Sequence, residues 1–306
     1  MLATSILLGL VAVALAWPVP ILLARSRWPL RAPGSALFAW QTVAFAGGIS
    51  MIGALAIFGL APFGQTALKA GAGAAAWLGR TDGTTRVSVA SVVALSVALL
   101  LALHLLLTLA VTWTHTGRLR RRHRALVALL GKTTPGDPRT RVLDVAAPVA
   151  YCLPGGASMT VLSTGLVESL GHAELEAVIA HERGHALQRH HLVLVTFRAW
   201  HRALPWLPTA RLAEEAVTRL VELLADDYAR HRVEDGVLRR AILQVTPTGS
   251  LGLDEAGAPV DGSLTLLRAQ RLSSGSTGLR LPYRLLVASA SAALLCIPPA
   301  LIVLRA

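Results

Sequence analysis

His181, Glu182 and His185 have the spacing His-Glu-x-x-His within residues 177–188. Residues four apart share one face of a helix, so both imidazoles can bind a single metal ion. The Glu182 carboxylate, next along the helix, can reach a water beside that ion without binding the ion itself. Neutral imidazoles suit zinc, and a catalytic zinc site needs one more protein ligand and one open position. The segment therefore predicts a centre with one zinc ion and Glu182 as general base.

A second pair of residues, Glu222 and Asp226, could complete this centre. They are four residues apart in Leu-Val-Glu-Leu-Leu-Ala-Asp-Asp-Tyr, residues 220–228. Glu222 is the predicted third ligand, and Asp226 is predicted to accept the ring N–H of a ligand histidine, which would fix its tautomer. Two buried carboxylates repel each other unless a cation or an imidazole N–H compensates them.

His191 is the alternative third ligand. It lies six residues after His185, where metzincins place their third histidine. Their glycine between the two histidines is replaced here by Gln188, and no methionine follows Met159. These differences favour Glu222.

The surroundings of the motif indicate a buried helix. Apolar residues precede His181, whereas a chance His-Glu-x-x-His on a surface helix would have polar neighbours. Gly184 within this helix costs roughly 1 kcal/mol relative to alanine. It predicts the close approach of the Glu222 helix or of a strand. Tyr228 and His231 are candidates for stabilising the tetrahedral intermediate, and the sequence predicts His172, His190 and His201 on the surface.

Four apolar windows could position this centre at a membrane. The chain has 306 residues, 54% of them hydrophobic and only 15% charged, with a mean hydropathy of +0.57. A bilayer core requires about 20 apolar residues in a helix. Four windows satisfy this: residues 2–23, 35–60, 87–113 and 285–304. The first could alternatively be a cleaved signal, although no positive charge precedes it.

Arginine placement predicts the orientation, because positively charged loops remain cytoplasmic. Arginines follow the first and third windows and precede the fourth: Arg25, Arg27, Arg31, Arg118, Arg120, Arg121, Arg122, Arg124, Arg280 and Arg284. We therefore expect a multi-pass plasma-membrane protein with its N-terminus and residues 61–86 outside. His104, inside the third window, is expected to pack between helices, with a proton-sensitive role as the alternative.

The acidic residues define one aqueous insert. Sixteen of the 17 acids lie between Asp137 and Asp261. The predicted organisation is three spans in residues 1–114, a cytosolic α+β domain in 115–284 and a fourth span in 285–306. Within the insert, periodicity predicts strands at 141–146, 149–153 and 158–163, and helices at 116–131, 173–190, 192–204, 209–231, 234–245 and 263–271.

Composition excludes several classes of protein. Two cysteines, Cys152 and Cys296, exclude a disulfide-stapled module. The net charge of +12 suggests nucleic-acid binding, but the densest basic cluster adjoins a membrane span. Membrane topology and anionic headgroups explain that cluster, so no direct nucleic-acid binding is expected.

With these motifs in place, the chain resembles membrane zinc peptidases of the BlaR/MecR type, the β-lactam sensor-transducers. It is more distantly similar to the HtpX and CAAX-prenyl-protease relatives. The matching pieces are Tyr-Cys-Leu-Pro-Gly-Gly from Tyr151, Val-Leu-Ser-Thr-Gly-Leu from Val161, residues 174–191 and Glu-Leu-Leu-Ala-Asp from Glu222. The resemblance implies a gluzincin-like fold, zinc held by His181, His185 and Glu222, and Glu182 as catalytic acid/base. The sensor-transducers continue into a penicillin-binding domain after their fourth span, whereas here the fourth window ends two residues before Ala306, so direct acylation by β-lactams is not expected.

The expected function is zinc-dependent hydrolysis of peptide bonds at the cytosolic membrane face, with the lipid bilayer as one partner. The substrate would be a protein or peptide, such as a transcriptional repressor in regulated signalling. The alternatives are a quality-control protease for membrane proteins and a metal-binding scaffold that signals without proteolysis. An extended substrate could add to the sheet edge, for which 159–163 is the predicted strand.

Overall fold

The computed structural model describes residues 1–64, 66–78, 87–134, 137–155, 158–245, 262–274 and 279–305. The predicted outer loop 61–86 lies partly outside these ranges. The helices are α1 (Leu2–Ala16), α2 (Pro18–Arg25), α3 (Pro33–Leu60), α4 (Ala67–Leu78), α5 (Val89–Leu130), α6 (Thr164–Ser169), α7 (His172–Leu187), α8 (His190–Ala203), α9 (Pro208–Ala229), α10 (Asp235–Gln244), α11 (Gly262–Ser273) and α12 (Leu281–Arg305). The strands are β1 (Lys132–Thr134), β2 (Asp137–Leu143), β3 (Ala150–Leu153) and β4 (Met159–Ser163).

Among the described residues, four helical segments are long and apolar enough to cross a membrane. They are Leu2–Arg25, Pro33–Phe63, Val89–Leu130 and Leu281–Val303. The first is interrupted at Trp17, because Pro18 has no N–H to continue the hydrogen bonds of α1. Large apolar side chains of α5, including Leu99, Leu103 and Leu106, are exposed on the surface of the fold. Such a belt suggests insertion into lipid.

The third apolar window and the basic segment after it form one helix of 42 residues. Its first turn is capped by Ser88, whose Oγ accepts a hydrogen bond from the Ser91 N–H. It ends at Gly131, where the chain turns into β1. α5 therefore runs from the apolar span directly to the sheet.

The sheet has the order β1-β2-β4-β3. β2 and β4 are parallel, whereas the β1–β2 and β3–β4 pairs are antiparallel. β4 is thus an inner strand. Our prediction that residues 159–163 form the open edge was wrong, because β4 pairs with β2 on one side and with β3 on the other. β1 and β3 are the two edge strands of the described sheet, and β3 lies against α7.

The second apolar segment, α3, shares a hydrophobic core with α8 and α9. Ala36 and Trp40 of α3 pack with Phe197 of α8 and Val217 of α9. α8 also packs along α5, where His104 Nε2 donates to the Ala203 carbonyl oxygen at 3.0 Å. His104 precedes Trp113 by nine residues, or about 13 Å of helix. The C-terminal end of α8 therefore lies beside the apolar part of α5, and Trp206 just after it is 72% exposed.

Candidate metal centre and active site

His181 and His185 lie one turn apart on α7. Their Nε2 atoms are 3.1 Å apart, and their ring centroids are 4.8 Å apart. Apolar neighbours on α7, including Ala177 and Val178, are buried. The two imidazoles therefore converge on one point at the edge of the core.

Glu222 reaches the same point from α9. Its Oε2 lies 3.4 Å from His181 Nε2, and its Oε1 lies 3.3 Å from His185 Nε2. Zinc bound tetrahedrally at about 2.0 to 2.1 Å separates its ligand atoms by roughly 3.4 Å. The three separations fit that geometry, and two imidazoles with one carboxylate are a donor set that zinc accepts in catalytic sites. Among the described residues, His191 is not part of this group of ligand atoms.

Asp226 makes a further contact with His181. Its Oδ1 lies 2.9 Å from His181 Nδ1. An Nδ1–H that donates to Asp226 leaves Nε2 to face Glu222 and His185. The structure thus brings His181, His185, Glu222 and Asp226 together, and Glu182 lines the same cavity.

His190 lies behind His185, contrary to our prediction that it is on the surface. Its exposed fraction is only 2%, because Arg189 adopts the left-handed conformation (φ 53°) and turns the chain back at the start of α8. His190 Nε2 lies 2.9 Å from Gln188 Oε1, and its Nδ1 lies 3.0 Å from His185 Nδ1. If the amide oxygen accepts from His190 Nε2–H, His190 Nδ1 accepts from His185 Nδ1–H. That arrangement leaves His185 Nε2 with its lone pair toward the metal position.

The other two histidines predicted on the surface, His172 and His201, have different environments. His172 is exposed, whereas His201 is half-buried and its Nδ1 lies 2.7 Å from Glu214 Oε2. His201 therefore does not have the fully solvated environment that we predicted. Its partner Glu214 also contacts Arg198, at 3.6 Å.

Arg268 on α11 is the residue that the sequence analysis missed. Its Nε and Nη2 donate to the two carboxylate oxygens of Asp226 at 2.8 and 2.7 Å. Its Nη1 lies 3.1 Å from Glu222 Oε2. Arg268 is the cation that compensates the paired carboxylates. No spacing rule links it to the motif, because residues 246–261 separate α10 from α11.

The buried charges shift one another's pKa values. Burial and the charge of Arg268 act to lower the pKa of His181, but Asp226 and Glu222 outweigh them and raise it to about 9. Burial opposes ionisation of Glu222 and Asp226, yet His185, His181 and Arg268 hold the pKa values of both carboxyls below their usual range. Burial opposes the charge of Arg268 in turn, and Asp226 and Glu222 raise its pKa. Without a metal, the cluster is therefore a network of charged groups.

Gly184 permits the close contact between α7 and α9, as its position predicted. A Cβ at this residue would lie 3.1 Å from Tyr228 Cβ and 3.2 Å from Ala225 Cα. Tyr228 packs here, with the Arg232 guanidinium 4.0 Å from its ring centroid. Among the described residues, neither Tyr228 nor His231 lines the cavity of the site, so neither has the placement that we proposed for a stabilising group.

A cavity of about 810 Å³ opens over the centre. One wall contains His181, Glu182, His185 and Glu222, and another contains Ala150, Tyr151 and Cys152 of the edge strand β3. The cavity continues along α8 and α9 past His201 and Glu214. His191 also lines it, and burial, followed by the charges of Arg120 and Arg189, lowers the pKa of His191 to about 4.

Residues 113–217 match peptidase family M48. This match covers about a third of the chain. It includes His181, Glu182 and His185 and ends before Glu222. No curated protein and no solved structure gives a match. The M48 match supports a metallopeptidase, typically zinc-dependent, and the His-His-Glu cluster agrees with it. The finer resemblance to BlaR/MecR-type or HtpX peptidases stays a prediction.

Proposed function

We propose that the protein is an integral-membrane zinc metalloendopeptidase that cleaves a protein substrate at the cytosolic membrane face. The observation that carries this proposal is the convergence of His181, His185 and Glu222, with ligand atoms all within 4.8 Å of one another. The M48 match around the motif supports the same reaction. The four apolar segments support the membrane setting.

The chain's own residues supply positioning and proton transfer. Zinc, when bound by His181, His185 and Glu222, lowers the pKa of water and polarises the scissile carbonyl. Glu182 takes the proton of the attacking water and returns it to the leaving amine. Asp226 and His190 orient the two ligand imidazoles through their Nδ1 atoms. Arg268 keeps Glu222 and Asp226 ionised.

The edge strand β3 is the proposed substrate-binding element. It is an edge strand of the described sheet and lines the cavity, where an extended peptide can add to the sheet by main-chain hydrogen bonds. Ala150–Leu153 lies against α7, so an added strand would pass beside Glu182. The site requires an extended segment of substrate, as in site-specific cleavage of an exposed linker. We propose regulated proteolysis in signalling, for instance of a repressor, as the biological setting.

The test compares Glu182→Gln with Glu176→Gln on the same helix. Glu176 is exposed, with His172 as its neighbour. Loss of a general base reduces turnover by about 10²- to 10⁴-fold. We expect Glu182→Gln to keep its zinc but to lose the new protein N-termini that wild type generates in cell membranes. The Glu176→Gln variant should behave as wild type.

Each alternative outcome has a distinct meaning. Loss of zinc from Glu182→Gln would show that Glu182 is a ligand and not the base. Cleavage of many unrelated membrane proteins would indicate quality control. Retained signalling by Glu182→Ala, with no cleavage in wild type, would indicate a metal-binding scaffold.

A further inference from the structure

A second cavity, of about 520 Å³, lies between α5 and α8 where the apolar part of α5 ends. We call it the basic groove. α5 lines it with residues spaced three or four apart, which form one face of the helix: Trp113, Thr116, Gly117, Arg120, Arg121 and Arg124. The facing wall comes from the start of α8, and Pro154 and Gly155 close one end.

The groove is strongly cationic. Three arginines line it, and none of its described lining residues is a carboxylate. Arg120 and Arg124 are half-buried and one turn apart, and Arg124 Nη1 donates to the Pro154 carbonyl oxygen at 3.5 Å. Two half-buried guanidinium groups one turn apart suit a phosphate, which accepts several charge-assisted hydrogen bonds.

The position of the groove indicates that this phosphate belongs to a lipid headgroup. Trp113, which lines the groove, is the last residue before α5 becomes polar, and tryptophan concentrates at membrane interfaces. Leu106, which is exposed, lies two turns before Trp113 on the same face of α5, so the exposed apolar belt reaches this end of the groove. A ligand in the groove therefore meets arginines at one end and the acyl-chain region at the other.

We propose that the basic groove binds the headgroup phosphate of an anionic phospholipid on the peptidase side of the membrane. This inference rests on the membrane insertion of α5 and is independent of the catalytic assignment. The groove shares His191 and Pro154 with the catalytic cavity, so a bound lipid borders the substrate site.

The test uses native mass spectrometry of the delipidated, detergent-solubilised full chain titrated with phosphatidylglycerol or phosphatidylcholine. The groove variant is Arg120→Gln with Arg124→Gln. The matched control, Arg118→Gln with Arg122→Gln, removes the same charge from exposed positions of α5 that do not line the groove. Each hydrogen bond to the phosphate that is lost reduces affinity by about fivefold or more, so we expect the groove variant to bind phosphatidylglycerol roughly 30-fold more weakly. The control should lose less than about threefold.

A third variant tests the cavity without changing any charge. A Cβ at Gly117 meets no heavy atom within 4 Å, so Gly117→Leu can fill the groove while the helix stays intact. We expect Gly117→Leu to lose phosphatidylglycerol binding and to keep its bound zinc, which reports on folding.

Three results would overturn the proposal. Equal loss in the groove variant and the control would indicate diffuse attraction to charge. Displacement of the lipid by millimolar inorganic phosphate would indicate a free-phosphate site. Unchanged lipid binding, together with weaker binding of a glutamate-rich peptide by the groove variant and Gly117→Leu, would indicate a site for acidic substrate residues.

Discussion

At the residue scale, the centre combines two carboxylates, two imidazoles and one guanidinium at the base of the cavity, where Asp226 and Arg268 are more deeply buried than Glu222. Asp226 has an exposed side-chain fraction of 1% and Arg268 one of 14%. Isolated charges at such positions are strongly unfavourable, so each depends on the others. The same contacts that order the zinc ligands therefore also contribute to the stability of the metal-free chain.

Zinc binding is expected to release a proton. The pKa of His181 is raised to about 9, so its imidazole is protonated at pH 7 in the metal-free chain, whereas a ligand imidazole must be neutral. Zinc affinity should therefore rise about tenfold per pH unit from pH 7 to about 9 and then level off. Calorimetric titration in buffers of different ionisation enthalpy measures the proton count. A count of zero at pH 7 would contradict this protonation state.

The stability of the metal-free fold should change with pH in the opposite direction to the zinc affinity. A group whose folded pKa lies above its unfolded value stabilises the fold below the unfolded value, near 6.5 for histidine. That contribution disappears as the pH rises through about 9. The midpoint of thermal unfolding of chelator-treated protein should accordingly fall as the pH rises from about 6.5 to about 9.

Removal of Arg268 should destabilise the protein much more than removal of an exposed arginine. Arg268→Met leaves Asp226 and Glu222 without their cation, and breaking a buried pair costs about 3 to 5 kcal/mol. The control is Arg240→Met, because Arg240 pairs with Glu174 but has 57% of its side chain exposed. Such a pair contributes about 0 to 1 kcal/mol. Thermal unfolding in detergent compares them, and similar losses would show that Arg268 is not required for the fold.

At the element scale, the centre depends on the contact between α7 and α9. α7 supplies His181, Glu182 and His185, and α9 supplies Glu222 and Asp226. A shift of a few tenths of an ångström between these helices changes the distances between ligand atoms. The residue that allows their approach is Gly184.

Gly184→Ala is expected to force the two helices apart. Overpacking of a tight contact costs about 1 to 3 kcal/mol, and alanine recovers up to about 1 kcal/mol of helix propensity. We therefore expect a small net loss of stability with a clear loss of zinc affinity, measured by competition with a chromogenic chelator. Gly236→Ala in α10 is the control, since its Cβ would meet only Arg240 Nη1 at 4.0 Å. It should be neutral or stabilising, and unchanged zinc affinity in Gly184→Ala would contradict the packing argument.

The sequence indicated the elements better than their arrangement. Local periodicity was sufficient for most helices, because it depends on residues near one another in the chain, but α4 and α6 were not predicted. The glycine at position 184 correctly predicted a close approach, because a glycine within a helix is costly unless its missing Cβ makes room for a neighbour. The edge strand was predicted incorrectly, since the parallel pairing of β2 with β4, which places β4 inside the sheet, is set by tertiary contacts. Because histidine is polar, the sequence predicted that His190 is on the surface. The left-handed turn at Arg189 instead directs its side chain into the interior. No local sequence pattern indicated that Arg268 belongs to the site.

At the scale of the whole molecule, the loop after the first span lies on the same side as the catalytic segment. Arg271 Nε donates to the Leu30 carbonyl oxygen at 2.9 Å, and the Leu279 N–H donates to the Arg31 carbonyl oxygen at 3.3 Å. This placement agrees with the arginine pattern. The pattern also predicts which side is cytosolic.

Cysteine accessibility tests that orientation. In a background of Cys152→Ser and Cys296→Ser, Lys69→Cys should react with an impermeant maleimide added outside intact cells. Arg239→Cys should react only after the membrane is opened. Both positions are exposed, so accessibility depends on the side of the membrane. The reverse pattern would place the catalytic segment outside the cell.

The continuity of α5 has a mechanical consequence. Forty-two residues at 1.5 Å each make a strut of roughly 63 Å, and its far end is joined to the sheet through Gly131. If α5 tilts as a rigid helix by about 5° around its N-terminal end, its C-terminal end beside the sheet moves by roughly 5 Å. Bilayer thickness and lateral pressure act on the lean of such a strut, so they act on the position of β1 and β2 as well.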